Sequence, residues 1–174
     1  LNKEEQTRFM ELGTRKLKGP DNIEISRQEL LEEGDEHSKY KELYSVHLVP
    51  TTMNKFEEGK DLTNQFENGT LSIDLSSGEH VLYYLILHTG YQTVTLGAPG
   101  SSGPVLNHYN QSAVNRYLKK MSKALNPRLN GMGSAFRAMF CDSLELHSNW
   151  CDDMLKEFQK RRGYSLKPYL TFVL

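Results

Sequence analysis

Between Phe140 and Trp150 the chain reads FCDSLELHSNW, which gathers Asp142, Ser143, Glu145, His147, Asn149 and Trp150 just behind an apolar run. Such a cluster can carry proton transfer. A glutamic acid that keeps its proton near neutral pH can deliver it to a leaving group, but a free glutamate with a pKa of ~4.3 must first be raised by burial or by a neighbouring negative charge. Glu145 is the candidate acid and Asp142 the candidate neighbour. The competing reading of Glu145 is structural, because acids at strand ends also cap helices and bind backbone amides. Trp150 is the one tryptophan of the chain; beside polar Asn149 it reads either as the aromatic floor of a sugar site or as the start of the apolar face of the next helix. Other chemistries fit less well. Cys141, Cys151 and His147 lack the close paired spacing of a structural zinc site, so both cysteines read as packing residues. Ser143 lacks the G-x-S-x-G elbow of a nucleophilic serine.

The elements that must position this cluster follow from periodicity. Apolar residues from FRAMF up to Cys141, polar immediately after, predict a strand over 133–145 that presents Glu145 at its C-terminal end. Before it, Val114, Tyr117, Leu118, Met121 and Leu125 recur at the spacing of one helix face, and Pro127 is expected to end that helix. After it, Asn149 is a plausible N-cap with Asp152 three residues on, Trp150, Met154, Leu155 and Phe158 share a face, and Gly163 stops the helix. Helix, strand, helix over 111–163 is the repeating unit of α/β folds with parallel sheets, and in barrels of that class the strand C-termini carry the active site. The first half differs. GTRKLKG and IEISR flank the turn residues Gly19-Pro20-Asp21-Asn22, and LSIDL and HVLYYLILHTG flank Ser76-Ser77-Gly78-Glu79, so two antiparallel hairpins are expected. ELYSVHLVP reads as a strand covered on both faces and NKFEEGKDLTNQFENGT as loop. LGAPGSSGP marks the change of character.

Bulk properties narrow the function classes. Lys and Arg total 21 against 22 Asp and Glu, a formal charge of −1 with no basic block, so nucleic acid is not an expected partner. The longest apolar run, Val81 to Leu87, is far below the ~20 residues of a membrane span. The chain begins at Leu1 without a signal peptide and stops on the apolar run PYLTFVL, which is how a piece of a longer protein reads.

Four motifs, in order and spacing, resemble glycoside hydrolase family 106, the α-L-rhamnosidase family, over residues 69–170. They are GTLSIDLSSGEHVLYYLILHTG, APGSSGPVLNHYNQSAVNRYL, FCDSLELHSNW and EFQKRRGYSLKPYL. In the family they match a hairpin of the form G-x-L-x-W-D-x-P-x-G-x-W, a Gly/Pro loop with its helix, an acidic strand end, and a closing R-R-G-Y-D-L-x-P-Y-L. Residues 11–52 match more loosely through KGPDNIEI and ELYSVHLVP. The chain departs from the family at Ile73 and Val81, where tryptophan is usual, at Asn107, where an acid is common, and at Ser165, where Asp is usual. The departure at Asn107 bears on a substrate or metal contact.

The resemblance implies an α/β fold: a fragment of a (β/α)8 barrel over 101–174 carrying the DSLE motif, with an antiparallel β-rich subdomain over 1–100. It implies a glycosidase that hydrolyses terminal α-L-rhamnosyl linkages of rhamnose-containing glycans by an inverting acid/base mechanism. Glu145 would be the catalytic acid, and Asp142, Asn149 and Trp150 would shape the substrate site. An inverting pair of carboxyl groups stands roughly 6.5–9.5 Å apart; the second is expected from a later barrel strand beyond Leu174, which would leave the isolated fragment inactive. No cofactor is visible, since the oxygen-rich loop spacing of a calcium site is missing from these residues, although the full-length family implies Ca2+. By the same resemblance the protein is secreted or periplasmic, with its export signal outside this chain. The alternative is a noncatalytic carbohydrate-binding or interaction module, which the β-rich half supports without Glu145.

Overall fold

Two long strands carry the fold, and their burial explains why they exist. The computed structural model describes residues 2–34, 38–94, 98–100, 102–129 and 147–174. β1 (Arg8–Ser26) and β4 (Thr70–Thr89) pair antiparallel along their whole length, from Arg8 opposite Thr89 to Ser26 opposite Thr70. β2 (Tyr40–Pro50) lies on the other side of β4, and the two-residue β3 (Lys60–Asp61) pairs with β2. The order is β1-β4-β2-β3. Along the start of β4, Leu71, Ile73 and Leu75 are buried while Ser72 and Asp74 face solvent, the period of two that one covered sheet face imposes.

That parity changes once on each of two strands. Gly19 pairs with Gly78 but Asp21 pairs with Leu75, so β4 holds one extra residue around Ser76 and Ser77. The bulge rotates the strand by one position, and Leu82, Tyr84 and Ile86 therefore join Leu71, Ile73 and Leu75 in a single core. In β2, Leu43 pairs with Ile86 and Ser45 with Leu85, which makes Tyr44 the extra residue. Leu43, Val46 and Leu48 consequently share the first core, whereas the Tyr44 ring turns to the opposite face. The two hairpins expected from the sequence are thus corrected. The Gly19–Asn22 and Ser76–Glu79 stretches face each other inside continuous strands, and their exposure on both faces gives them the polar composition of turns.

α1 (Arg27–Glu32) closes the first core with Leu30; the Ser26 hydroxyl caps it by accepting from the Glu29 backbone N–H at 3.0 Å. Just beyond it, Arg15 binds Glu29 at 2.7 Å and Glu33 at 2.5 Å, and the Tyr84 hydroxyl donates to Glu33. Gly13 lies under that tyrosine: a Cβ there would collide with the Tyr84 ring. The opposite face of the sheet carries Met10, Leu85 and Leu87, covered by Trp150, Leu166 and Leu170. The covering elements are α3 (Met154–Arg162) and α4 (Leu170–Val173), the latter entered through a 3-10 turn over Lys167–Tyr169. α2 (Gln111–Leu129) packs Ala113 near the 3-10 turn Lys3–Glu5, and Arg116 binds Glu5 at 2.8 Å. Its Tyr117, Leu118 and Leu125 are exposed. Pro127 sits inside α2 rather than ending it.

The (β/α)8 barrel fragment of an α/β fold is overturned. The fold is a small antiparallel sheet with few helices, and every strand pair described runs antiparallel. Parallel strands need crossover connections; here the long strands pair directly, and α3 and α4 serve as a cover on one face of an antiparallel sheet. The strand expected over 133–145 lies outside the described residues.

Candidate functional site

Of the residues singled out in the sequence, Asp142 and Glu145 lie outside the described residues, while the stretch that follows them is held by a specific set of contacts on β1. Ser148 donates from its hydroxyl to the Arg8 carbonyl at 2.7 Å. The Asn149 carboxamide then addresses both backbone groups of Met10, accepting from its N–H at 2.7 Å and donating to its C=O at 3.0 Å. A carboxamide has the donor and acceptor of a peptide group, so Asn149 acts as one rung of ladder on the outer rim of β1. Arg8, largely buried, pairs with Asp152. Asn149 is therefore tied to the sheet, and the helix that follows starts after Asp153, whose side chain makes no capping hydrogen bond, rather than after Asn149.

Trp150 is 4% exposed. Its ring meets Tyr44 edge-on, with centroids 5.3 Å apart and planes at 68°, the geometry that aromatic quadrupoles favour. The indole joins Met10, Leu85 and Leu170 in the second core, so the structure places it as a packing residue behind Tyr44. Cys151 is a free thiol; burial, then the hydrogen bond to Asp153, pushes it up to about 11, and it stays protonated at neutral pH. Asn107, where the sequence departs from the family, is 1% exposed and builds a turn: its side chain accepts from the Tyr109 N–H at 3.0 Å and its own N–H donates to the Glu5 carbonyl at 2.8 Å.

On the front of Tyr44 the structure opens a cleft of about 570 Å³ between β2, β3 and the Lys167–Phe172 segment. This lies within the roughly 300–1,000 Å³ of small-molecule sites. Its floor is polar. His47 is 7% exposed and its Nδ1 lies 3.1 Å from the Thr171 hydroxyl, which in turn lies 3.1 Å from the Ser45 hydroxyl. On the other side, His47 Nε2 stands 4.0 Å from Asp61 Oδ2. Burial pushes the His47 imidazole below its ordinary value, with Asp61 opposing. Burial acts against ionisation of Asp61, yet hydrogen bonds from Thr63 and the charges of His47 and Lys167 hold it below the usual carboxylate range. One wall is aromatic: Phe56 meets Tyr169 at 5.5 Å and Phe172 at 5.2 Å, and Phe172 meets His47 at 5.8 Å.

Sequence reasoning passed over this cleft. Asp61 and Phe56 lie in a stretch read as loop, and His47 is one polar residue in an apolar strand; a lone Phe in NKFEEGK and the aromatic pair around YLTF were the available signals. The bulge at Tyr44, which assembles the cleft, leaves no such mark. Among the described residues no group of three or more His, Cys, Asp or Glu is placed to hold a metal ion. No helix among them is long and apolar enough to cross a membrane.

Comparison with known proteins adds the family. A search of curated proteins found no match. Among solved structures, a rhamnosidase from Novosphingobium sp. PP1Y is 28% identical over 67% of this chain, with a TM-score of 0.48, and the chain spans 12% of that protein's length. A family model described as alpha-L-rhamnosidase matches residues 35–174, a stretch that contains DSLE, the Asn149 anchor and all of the cleft lining but Arg27. The chain belongs to the alpha-L-rhamnosidase family, glycoside hydrolase family 106.

Proposed function

We propose that the chain is a segment of an enzyme that hydrolyses terminal α-L-rhamnosyl linkages in glycans by an inverting acid/base mechanism, with Glu145 as general acid. The observation that carries this reading is the family match, whose range includes the DSLE motif. The structure adds a means of support: from the third residue after Glu145, three consecutive residues, Ser148, Asn149 and Trp150, are fastened to the sheet. A catalytic acid must be held to within about 0.5 Å of its working position by its supporting residues. Asp142 is the neighbour that would raise the pKa of Glu145, and the base would come from elsewhere in the whole protein, roughly 6.5–9.5 Å away with a water between. Asn149 and Trp150 would serve the site through position. Such an enzyme would work outside the cytoplasm, where its polymeric substrates are.

The test is Glu145→Gln in the whole enzyme, assayed on a natural rhamnoside and on a nitrophenyl rhamnoside. Gln keeps size and hydrogen bonding but has no proton to give, so the natural substrate should lose ~10²–10⁴-fold in rate. The activated substrate needs little protonation and should lose far less. Equal losses would mean that Glu145 is a base, nucleophile or ligand, and no loss would remove it from the mechanism.

A further inference from the structure

We propose that the cleft in front of Tyr44 is a glycan-binding subsite that takes one neutral pyranose ring, stacked on Phe56 and hydrogen-bonded to His47, Asp61 and Lys167. The proposal rests on the glycosidase reading for the class of ligand, and on the following geometry for the site.

Phe56 is 48% exposed, although Tyr169 and Phe172 hold its ring from two sides. It therefore offers a fixed, partly open aromatic face, which suits the C–H face of a sugar ring. The polar groups suit hydroxyls. His47 Nε2 and Asp61 Oδ2 are 4.0 Å apart, too far for a direct hydrogen bond but spanned by one oxygen that bonds both. Asp61 is held ionised as an acceptor, and Lys167 stands close enough to stabilise that charge while presenting donors. The charges also select against ions. Arg27 and Lys167 line the cleft together with Glu57 and Asp61, so two cations face two anions, and Arg27 already lies over the Phe66 ring at 4.7 Å. A phosphate or a carboxylate gains little there, whereas an uncharged polyhydroxyl compound finds both donors and acceptors.

The experiment is an NMR titration of the 174-residue chain with methyl α-L-rhamnopyranoside, following backbone amides and saturation transfer to the sugar, with inorganic phosphate as a parallel arm. The expected result is shifts centred on Phe56, Asp61 and the Lys167–Phe172 segment, saturation of the sugar C–H protons, and no response to phosphate. Phe56→Ala should weaken binding roughly tenfold or more, with the spectrum outside the Tyr169 and Phe172 neighbourhood unchanged because the ring is half exposed. Lys167→Met, a second variant at an exposed position, should weaken binding while keeping the stacking signal. Shifts confined to other regions, a phosphate response at the same amides without a sugar response, or Phe56→Ala binding as tightly as the parent would overturn the proposal. None of these outcomes touches the Glu145→Gln contrast, so the cleft and the catalytic assignment fail separately.

Discussion

Replacing Asn149 should uncouple the stretch behind Glu145 from the sheet, and the size of the effect can be worked from its two bonds. The carboxamide meets the Met10 N–H at 2.7 Å and the Met10 carbonyl at 3.0 Å. A protein hydrogen bond contributes about 1 kcal/mol net, and a buried group left without its partner costs about 1–3 kcal/mol. Met10 is 2% exposed, but β1 is a rim strand and water can reach part of its backbone. Asn149→Ala should therefore cost about 2 kcal/mol, or roughly 4–8 °C in Tm for a chain of this size. Asn149→Asp separates donor from acceptor. The introduced carboxylate still accepts from the Met10 N–H but faces the Met10 carbonyl without a proton, so its pKa rises on folding. A raised acid pKa penalises the folded state above the unfolded value of about 3.9. Hence the deficit of Asn149→Asp relative to the parent should shrink as pH falls toward 4, while that of Asn149→Ala should stay constant. Urea unfolding of the three chains across pH measures both. An Ala variant within ~0.5 kcal/mol of the parent, or an Asp deficit that does not ease in acid, would show that the Met10 contacts do not hold this segment.

Two further outcomes follow from geometry already described. Deleting Ser77 removes the extra residue of β4 and must turn either Leu71, Ile73 and Leu75 or Leu82, Tyr84 and Ile86 out of the core; a one-residue slip flips every side chain, so the variant should fail to fold, whereas Ser77→Ala should retain full circular dichroism and Tm. Burial holds His47 neutral in the folded chain, so its contribution to stability is present above the unfolded pKa of about 6.5 and is lost as pH falls through the lower folded value. His47→Gln should flatten that part of the pH–stability curve, and parallel curves for parent and variant would refute it.

Much of this was legible in the sequence, and the failures have physical causes. The strand Tyr40–Pro50 and the stop at Gly163, which adopts φ of 80°, follow from alternation and from glycine's freedom at a helix end. The family was readable because its motifs are short runs of identity that survive whatever fold they sit in. The hairpins were misread because Gly19–Asn22 and Ser76–Glu79 are exposed on both faces, and composition cannot separate a solvated bulge from a turn. Pro127 lies within α2, which runs at least to Leu129, and beside it the Arg128 guanidinium donates to the Ala124 carbonyl at 2.7 Å. The barrel was inferred from the order of helices and one strand, yet order along the chain does not specify which strands pair. Asn149 and Trp150 stand out in the sequence as a polar and an aromatic neighbour of the acidic motif. What they share is attachment to β1 and Tyr44, partners 139 and 106 positions away in sequence, which no local pattern encodes.

The outer rim of β1 has a bearing on how the chain behaves in concentrated solution. Where Ser148 and Asn149 end their cover, the strand continues through Arg15, Lys16, Lys18, Asp21 and Glu24. A second copy adding itself there parallel and in register would have to set each of these charges against its own kind and strip water from them, a barrier to stacking of the kind that natural sheets use at their edges. The barrier is coulombic, so it weakens as the screening length falls to about 3 Å in molar salt. The same strand that organises the core thus also resists parallel stacking of copies, and resists it most at low ionic strength.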